Sequence, residues 1–534
     1  MEQKNISKQK IINLRIIACV FVLGMNGMNV CCWTVAPDGQ LPKTFPVESL
    51  KQADLFIAGI QNDPRALQAN PRNFAACVNE AAQRASEKLL IFLPPDLLEL
   101  ADDWKAVFTE AAENSDCVFF YGNYTVRGET GDIPHTTRED IGDITEREDW
   151  GPVWAVNCEW LNQSGGLDEV HHRAAFYDLL LKSFSRRCHI DASLALIAEP
   201  PGNKHTAALK SKLFFPGRGA LGGFSYLFMD KEEESHIEQV FYNFLKRQHV
   251  WLEGERSAHP PACGGDRGSD VSNSPPFRGV QDTLYTPPQA AGGQGGVKVS
   301  VITPVYNRAR FIGKAIQSVQ NNSFTDWEYI IVDNGSTDGT QEMVLQYAEH
   351  DSRIRLVEND QNVIALALNL GVKLARGKYI SQLDSDDEYL PHTMQKMVDA
   401  LDSHPTWGLA ISYYELMNEA GEVLPEFGVI KHEQYNRNNI LRRDGAGALR
   451  CWHRSVILEM GGFDEKELGQ YGEDYDLVLK AGEKYEVGRV HEVCYRYRRH
   501  DGNTDVLRSP EMKIRNKTIA RLNALDRRRL LNQA

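Results

Sequence analysis

Residues 378–387 of this 534-residue chain read KYISQLDSDD, an apolar run that ends abruptly in carboxylates. A short apolar run bounded by polar residues predicts a buried β-strand. Two similar runs, at 301–302 and 330–332, also end in polar residues. If the three runs are strands of one α/β sheet, Asp384 and Asp386 lie at the edge where such sheets bind ligands.

The spacing of Asp384 and Asp386 has a chemical rationale. Two Asp residues separated by the small Ser385 can both turn toward one hard divalent cation. Mg2+ and Mn2+ prefer oxygen ligands, which carboxylates and substrate phosphates share. The pattern therefore predicts a metal-bound diphosphate, and an acidic loop on a solvated surface is the competing interpretation.

The composition of the chain excludes some classes of protein. Its length predicts several domains, and 42% hydrophobic with 25% charged residues is typical of globular proteins. The formal net charge of -14 argues against a nucleic-acid partner, because sequence-independent binding needs a basic surface. The ten cysteines are scattered without a C-x-x-C pair, which favours reduced thiols in the cytoplasm over disulfides or a zinc site.

An apolar run from Ile16 to Met25 lies near the N-terminus, bounded by Arg15 and Asn26. A run of about ten apolar residues is too short to span a bilayer. No small-x-small cleavage site follows it. We therefore expect a buried first strand, with a secretory signal or a membrane-surface anchor as the alternatives.

Proline, glycine and serine crowd together between Glu253 and Gly296. Such a segment cannot bury enough apolar surface to fold and is typical of a linker. The predicted organisation is an N-terminal domain over 1–252, a linker over 253–296, a C-terminal domain over 297–505 and a basic helix over 506–534.

The C-terminal half alternates strand and helix patterns. A strand opens at 297 and runs into a polar loop, and apolar residues at helical spacing follow it. A second strand, Trp327 to Val332, ends in DNGSTDGT, whose Asp, Gly and Ser residues suit a turn and a helix N-cap. Further helices and strands lead to Asp384. The alternation predicts a doubly wound α/β arrangement.

Five ordered blocks of this half resemble family 2 glycosyltransferases, which have the GT-A fold. The blocks are VITPVYNR at 301–308, VDNGSTDGT at 332–340, ARGKYISQLDSDD at 375–387, GGFD at 461–464 and GEDYDL at 472–477. Five blocks in order are far more specific than any one of them. The resemblance covers 297 to about 505 and implies a Rossmann-like, GT-A-like domain that binds a nucleotide-sugar.

The resemblance also implies how the donor is bound. Asp333 would hold the uracil or ribose, and Asp384 and Asp386 would face the diphosphate and bind Mn2+ or Mg2+, with Asp386 the more direct ligand. A metal there stabilises the charge that develops on the leaving diphosphate. The other residues expected near the base and ribose are Pro304, Tyr306 and Asn307.

Inverting transfer needs a base on the opposite side of the anomeric carbon from the leaving group. Glu473 and Asp474 match the family's acidic pair at the start of a helix. The resemblance therefore implies that Asp474 is the base and that Glu473 orients the acceptor. The competing interpretation is that both are first-turn acids stabilised by the helix dipole.

The segment YRYRRHDGNT at 495–504 resembles the family's closing segment. It implies a metal or diphosphate contact from His500 and a phosphate contact from Arg498 or Arg499. The chain departs from the pattern at Leu368, where many relatives place an arginine before the residue that corresponds to Asn369. A diphosphate contact from that helix is therefore not expected.

The N-terminal half aligns with the C-terminal half in separate blocks. The aligned ranges are 79–100 with 369–390, 165–169 with 461–465 and 174–182 with 472–480. In the first copy the triplet at 384–386 becomes Pro94-Pro95-Asp96, the acidic pair becomes Ala175-Phe176, and 332–336 has no counterpart. We interpret 1–252 as a degenerate GT-A-like domain without transferase activity. Two unrelated α/β domains are the alternative.

The sequence favours an inverting glycosyltransferase that moves a sugar from a UDP-sugar to a glycan or lipid-linked acceptor. A nucleotide-sugar-binding or scaffolding protein without turnover is the alternative. A nucleotidyltransferase would carry a glycine-rich, lysine-containing phosphate loop where this chain has PVYN. We expect a cytoplasmic protein whose tail at 506–534 is a solvated helix. Contact of that tail with the inner membrane, where lipid-linked acceptors reside, is the alternative.

Overall fold

The computed structural model describes residues 89–93, 97–128, 131–146, 148–171, 174–198, 231–254, 258–261 and 297–533 except 433 and 444, with short pieces between 19 and 83. These residues form two compact units. Among the described residues, unit 1 ends at Gln248 and unit 2 begins at His249. Pro94-Pro95-Asp96 and most of the expected linker lie outside the described residues.

Unit 1 has a mixed sheet with helices between its strands. The strands are β1 (Cys19–Gly24), β2 (Gly27–Asn29), β3 (Cys31–Trp33), β4 (Phe56–Ala58), β5 (Leu89–Leu93), β6 (Leu97–Leu100), β7 (Phe119–Gly128), β8 (Gly131–His135), β9 (Trp154–Asn157) and β10 (Arg187–Ala198). The helices are α1 (Trp104–Glu113), α2 (Cys158–Gln163), α3 (Ala175–Lys182) and α4 (Lys231–Arg247). The strand expected within Ile16–Met25 is present as β1.

Unit 2 is built in the same way. Its strands are β11 (Val299–Val305), β12 (Trp327–Asp333), β13 (Ile354–Glu358), β14 (Tyr379–Gln382), β15 (Glu388–Tyr389), β16 (Trp407–Met417), β17 (Val429–Ile430), β18 (Arg450–His453) and β19 (Glu486–Arg498). Its helices are α5 (Ala309–Gln320), α6 (Thr340–His350), α7 (Ile364–Leu374), α8 (Thr393–Ser403), α9 (Arg454–Glu459), α10 (Glu473–Lys484), α11 (Thr504–Leu507) and α12 (Pro510–Gln533).

The strands of unit 2 form one sheet in the order β13-β12-β11-β14-β18-β16-β19-β15, with β17 beside β16. β11 and β12 are buried along almost their whole length. Parallel strands buried on both faces have this pattern, which is why they read as continuous apolar runs. The expected α/β fold class is confirmed for this unit.

Unit 1 repeats most of this order, as β2-β1-β5-β9-β7-β10-β6 with β8 beside β7. β9 is antiparallel to β5 and β7, as β18 is to β14 and β16. β10 is parallel to β7, as β19 is to β16. The units differ at β1, which is antiparallel to β5, whereas β11 is parallel to β14.

The two ends of unit 2 differ from the sequence-based expectations. Leu252 exchanges hydrogen bonds of 3.1 Å with the Asn438 side chain, so the chain already belongs to unit 2 before the boundary predicted at 252. At the other end α12 packs against α10, where Arg527 forms an ion pair of 2.9 Å with Glu483. Arg528 is fully buried.

The expectation of a solvated helix is therefore wrong for α12, because two residues of its basic cluster serve the packing of unit 2. Contact of its exposed residues with a membrane stays a prediction. Within the described part of the chain, no helix combines the length and the apolar composition needed to cross a membrane.

Candidate active site

Strand register brings the predicted site residues of unit 2 to one edge of its sheet. β11 and β12 run parallel, with Val305 opposite Asp333. β14 runs parallel to β11 on its other side, and Asp384 follows the end of β14 by two residues. The polar residues that follow these strands therefore collect at their carboxyl ends, as the sequence predicts.

Asp333 is fully buried at the end of β12. Its Oδ2 accepts hydrogen bonds from the backbone N–H groups of Gly335 and Ser336 at 3.1 and 2.9 Å, and from Gln341 Nε2 at 2.7 Å. Its Oδ1 is buried and has no partner. Buried acceptors are rarely left unsatisfied, so this oxygen marks a position where a ligand donor would fit.

The loop after β11 is fixed against the loop after β12. Asn307 adopts a left-handed backbone conformation with φ of 50°, and its Oδ1 accepts from the Thr337 N–H at 2.8 Å. The Asn307 N–H donates to Ser336 Oγ at 2.9 Å. Pro304 is half-buried within β11, and Tyr306 is 42% exposed beside this junction.

Asp386 contacts two basic side chains of the site. Its Oδ2 lies 2.9 Å from His500 Nε2 and 3.3 Å from Arg308 Nε. Burial alone would raise the pKa of Asp386, but the hydrogen bond from His500 and the charge of Arg308 outweigh burial and lower it. The structure thus brings together Asp386 and His500, which the sequence pattern predicted as metal ligands.

The pKa of Asp384 is shifted in the opposite direction from that of Asp386. Although it is exposed, the protein around its carboxyl removes part of its hydration, and this effect with the charge of Asp386 raises the pKa of Asp384 to about 7. The charge of Asp474 contributes in the same direction. Two carboxylates that repel each other in this way are stabilised by a shared cation.

The donor set at this edge fits Mn2+ or Mg2+. Asp384, Asp386 and His500 offer oxygen and imidazole nitrogen atoms, and substrate phosphates supply the remaining ligands of such ions. Among the described residues, no three His, Cys, Asp or Glu side chains are already arranged around one metal position. A metal there would therefore depend on the phosphates for part of its coordination.

Glu473 and Asp474 form the first turn of α10, which Gly472 opens in a left-handed conformation with φ of 95°. Glu473 is buried, and this burial together with the charge of Asp474 raises its pKa well above the usual range. Asp474 is 30% exposed, and its Oδ2 lies 2.6 Å from Arg450 Nη2. The exposed member of the pair is thus the one expected to act as the base.

Arg498 stabilises the acidic loop through hydrogen bonds to backbone carbonyl groups. Its Nε donates to the Asp386 carbonyl at 2.7 Å, Nη1 donates to the Glu419 carbonyl at 3.0 Å, and the guanidinium pairs with Glu388. It is also buried. A phosphate contact from Arg498 stays a prediction, although its guanidinium is committed to the protein in this structure. Arg499 is committed in the same way, to Asp505 at 3.1 Å.

Two arginines of the site, Arg308 and Arg450, were not among the residues predicted from the sequence. Arg308 follows the predicted ligand Asn307 directly, so its position in the loop after β11 was a usable signal. Arg450 lies outside every quoted block, and the fold of the sheet brings it to Asp474. Leu368, which stands where many relatives have an arginine, is apolar and buried, so it offers no charge to a diphosphate.

A comparison with family models matches residues 300–457 to glycosyl transferase family 2. The matched segment contains β11 to β18 and both carboxylates at the end of β14. The C-terminal half carries a family 2 glycosyltransferase domain. The acidic pair of α10 lies just beyond the matched segment.

Curated relatives agree with this family. The chain is 28% identical over 240 residues to the chondroitin synthase of Pasteurella multocida, an overlap that covers 44% of this chain and 24% of that protein. It is 29% identical over 234 residues to the chondroitin synthase of Escherichia coli, covering 42% and 33%. The putative glycosyltransferase EpsE of Bacillus subtilis is 38% identical over 136 residues, covering 25% and 46%. The chain thus spans less than half the length of these relatives.

Among solved structures, S. aureus TarS in complex with UDP-GlcNAc aligns with a TM-score of 0.33 and 20% identity, covering 40% of this chain and 61% of that one. A mannosyltransferase from Pyrobaculum calidifontis, in complex with GDP-Man and Mn2+, aligns with a TM-score of 0.29 and 24% identity, covering 37% and 56%.

Proposed function

We propose that unit 2 is an inverting glycosyltransferase that moves a sugar from a UDP-sugar to an acceptor hydroxyl. The observation that carries the proposal is the position of Asp474, which lies 2.6 Å from Arg450 of β18, the strand beside β14 that leads to Asp384 and Asp386. A base and a diphosphate-binding carboxylate are the two groups that a single displacement needs on opposite sides of the sugar.

The unpartnered Oδ1 of Asp333 supports a hydrogen-bond donor of the nucleotide, on the base or on the ribose, as its partner. A carboxylate oxygen accepts a hydrogen bond, and the uracil N3–H is the donor that the base of a UDP-sugar offers. The Oδ2 contacts to the following backbone hold the carboxylate in place for such a contact. Tyr306 adjoins Asn307 and is 42% exposed, so its ring is available to stack on the base.

Mn2+ or Mg2+ would be held by Asp386 with Asp384 and His500, and it would stabilise negative charge on the departing diphosphate. Arg308 adds a second positive charge beside Asp386. Arg308, in the loop after β11, thereby supplies a positive charge that the apolar Leu368 cannot supply. Arg308 is 19% exposed, and its Nη2 also donates to the Gly502 carbonyl at 2.7 Å, so a phosphate contact would add to the contacts that the guanidinium already makes.

In the displacement, Asp474 takes the proton of the acceptor hydroxyl as its oxygen attacks the anomeric carbon. A new carbon–oxygen bond forms while the bond from that carbon to the diphosphate breaks, and UDP leaves with the bonding electrons. Inversion follows because attack and departure occur on opposite faces. Burial raises the pKa of Glu473, which favours its protonated form, and the protonated carboxyl can donate a hydrogen bond to the acceptor.

The names of two of the relatives, which are chondroitin synthases, support an acceptor that is itself a glycan. A lipid-linked glycan is the second candidate acceptor. Binding without turnover is the alternative function of unit 2. The retained carboxylates at 384, 386, 473 and 474 favour turnover, because binding alone would not require a base.

For unit 1 we propose a second copy of the same fold that does not catalyse transfer. The shared strand order supports this. So does the side chain of Asn79, which bonds the Leu167 carbonyl and N–H and the Glu169 carboxylate, as Asn369 bonds Phe463 and Glu465. The position of the base is occupied by Phe176, which cannot accept a proton.

A screen of nucleotide-sugars tests the function of unit 2. We expect the full chain to release UDP from one UDP-sugar in the presence of Mn2+ and to lose this activity when the metal is chelated. Asp386→Ala should weaken Mn2+-dependent UDP binding about ten-fold or more, because it removes a buried carboxylate ligand. Asp402→Ala, which removes an acid paired with Lys298 away from the site, is the control. Equal UDP affinity with and without Mn2+ in the unmodified protein would contradict the metal assignment.

A further inference from the structure

Arg450, the first residue of β18, holds the carboxylate that we propose as the base. Its Nη2 lies 2.6 Å from Asp474 Oδ2, and the Tyr475 N–H donates to Oδ1 at 2.7 Å. Both oxygens therefore have a fixed partner, which restricts rotation of the carboxylate. Arg450 is 16% exposed, so water competes less for this contact than for an ion pair on an open surface.

The charge of Arg450 acts on the neighbouring carboxyls as well. Burial is the largest influence on Asp384 and Glu473 and raises the pKa of both, and Arg450 opposes this rise in each case. The guanidinium of Arg450 thus contacts the proposed base directly, whereas only its charge acts on the proposed acceptor-orienting residue and on Asp384. None of the five blocks that resemble the family contains this arginine.

Unit 1 provides an internal comparison. Strand register places Trp154 opposite Phe92 and Asn157 opposite Leu89, and it places His453 opposite Tyr379. Since Leu89 and Tyr379 occupy the same place in the two aligned segments, Asn157 corresponds to His453. Three residues earlier on the same strands, Trp154 corresponds to Arg450.

The helix residue that contacts this strand residue also differs between the two units. α3 begins at Ala175 and α10 begins at Glu473, so Phe176 corresponds to Asp474. In unit 1 the rings of Trp154 and Phe176 stack with centroids 4.4 Å apart. The same strand–helix contact is therefore formed by an ion pair in unit 2 and by an aromatic pair in unit 1. The unit that lacks the proposed base also lacks the arginine.

We propose that Arg450 is a positioning residue, which holds the Asp474 carboxylate in the orientation that receives the acceptor proton. The inference rests on the proposed transferase activity of unit 2. Because a misplaced reacting group can cost about 100-fold in rate, losing this contact should affect the chemical step more than donor binding. A purely structural ion pair would instead affect stability.

The test compares kcat, the KM for the donor and the melting temperature in the full chain, using the UDP-sugar that the unmodified protein turns over. Arg450→Met keeps the length of the side chain and removes its charge. We expect kcat to fall about 100-fold while the donor KM and the Mn2+-dependent UDP affinity change by less than about two-fold. Arg450→Lys should recover about ten-fold of the loss, because it restores a charge without the planar fork.

Arg496→Met is the matched control, since Arg496 forms a 2.8 Å ion pair with Glu415 on the neighbouring strands β19 and β16. It should keep the unmodified kcat. The inference is overturned if Arg450→Met keeps the unmodified kcat while Asp474→Asn is inactive. It is also overturned if the loss of kcat follows a fall in melting temperature and is not recovered by lysine. Full turnover in Asp474→Asn would instead reject the base, and with it the proposed mechanism.

Discussion

At the scale of single residues, Asp333 carries an oxygen that the protein itself leaves unused. Three donors hold Oδ2, whereas the buried Oδ1 has none. Leaving a buried acceptor unsatisfied costs about 1–3 kcal/mol, so its persistence is explained if a ligand satisfies it in the working state. The uracil N3–H is the donor that the proposed function supplies.

Asp333→Asn should weaken UDP binding because it can place an amide N–H against the uracil N3–H. We expect about a ten- to hundred-fold loss of affinity, the size of a lost hydrogen bond to a charged group. Calorimetric titration with UDP measures the loss. Asp351→Asn, which changes an acid paired with Arg353 at the other end of α6, should leave the affinity unchanged. Equal UDP affinities of Asp333→Asn and the unmodified protein would exclude the contact.

At the scale of elements, one side chain connects α7 to the loop that precedes α10. Asn369 Nδ2 donates to the Phe463 carbonyl at 2.9 Å and to Glu465 Oε1 at 2.7 Å, and its Oδ1 accepts from the Phe463 N–H at 2.9 Å. Gly462 has φ of 79°, and a Cβ there would lie 2.6 Å from Asn369 Oδ1. The glycine pair of this block is thus explained by backbone conformation and close approach.

Asn369→Ala should lower the free energy of unfolding by about 1–3 kcal/mol, because it leaves buried polar groups of the loop without partners. Urea denaturation monitored by tryptophan fluorescence measures the change. Asn418→Ala removes an exposed turn contact to Glu422 and should cost less than about 0.5 kcal/mol. If both variants had the same stability, Asn369 would not have the structural role assigned to it.

The sequence predicts the elements of unit 2 well for a physical reason. Parallel strands buried on both faces appear as apolar runs that end in polar residues, so β11, β12 and β14 can be predicted from the sequence. The contact of Arg450 with Asp474 cannot be predicted from the sequence, because it joins a strand and a helix that only the order of the sheet brings together. The packing of α12 was misjudged because its arginines pair with acids on a distant helix.

At the scale of the whole molecule, the chain combines two units with matching strand orders and different chemistry at the matching positions. Where unit 2 has Arg450 and Asp474, unit 1 has Trp154 and Phe176 in a stacked pair. Proton transfer needs an ionisable group, so the aromatic pair cannot perform it. The account therefore predicts one reaction centre in the full chain.

The most direct test of this claim is UDP release by the full-length Asp474→Asn variant, measured with the donor and acceptor that the unmodified protein uses. Loss of a general base should lower turnover about 100- to 10,000-fold, while calorimetry still finds Mn2+-dependent UDP binding at one site per chain. Turnover at the rate of the unmodified protein would contradict the account, because it would place the reaction centre elsewhere in the chain.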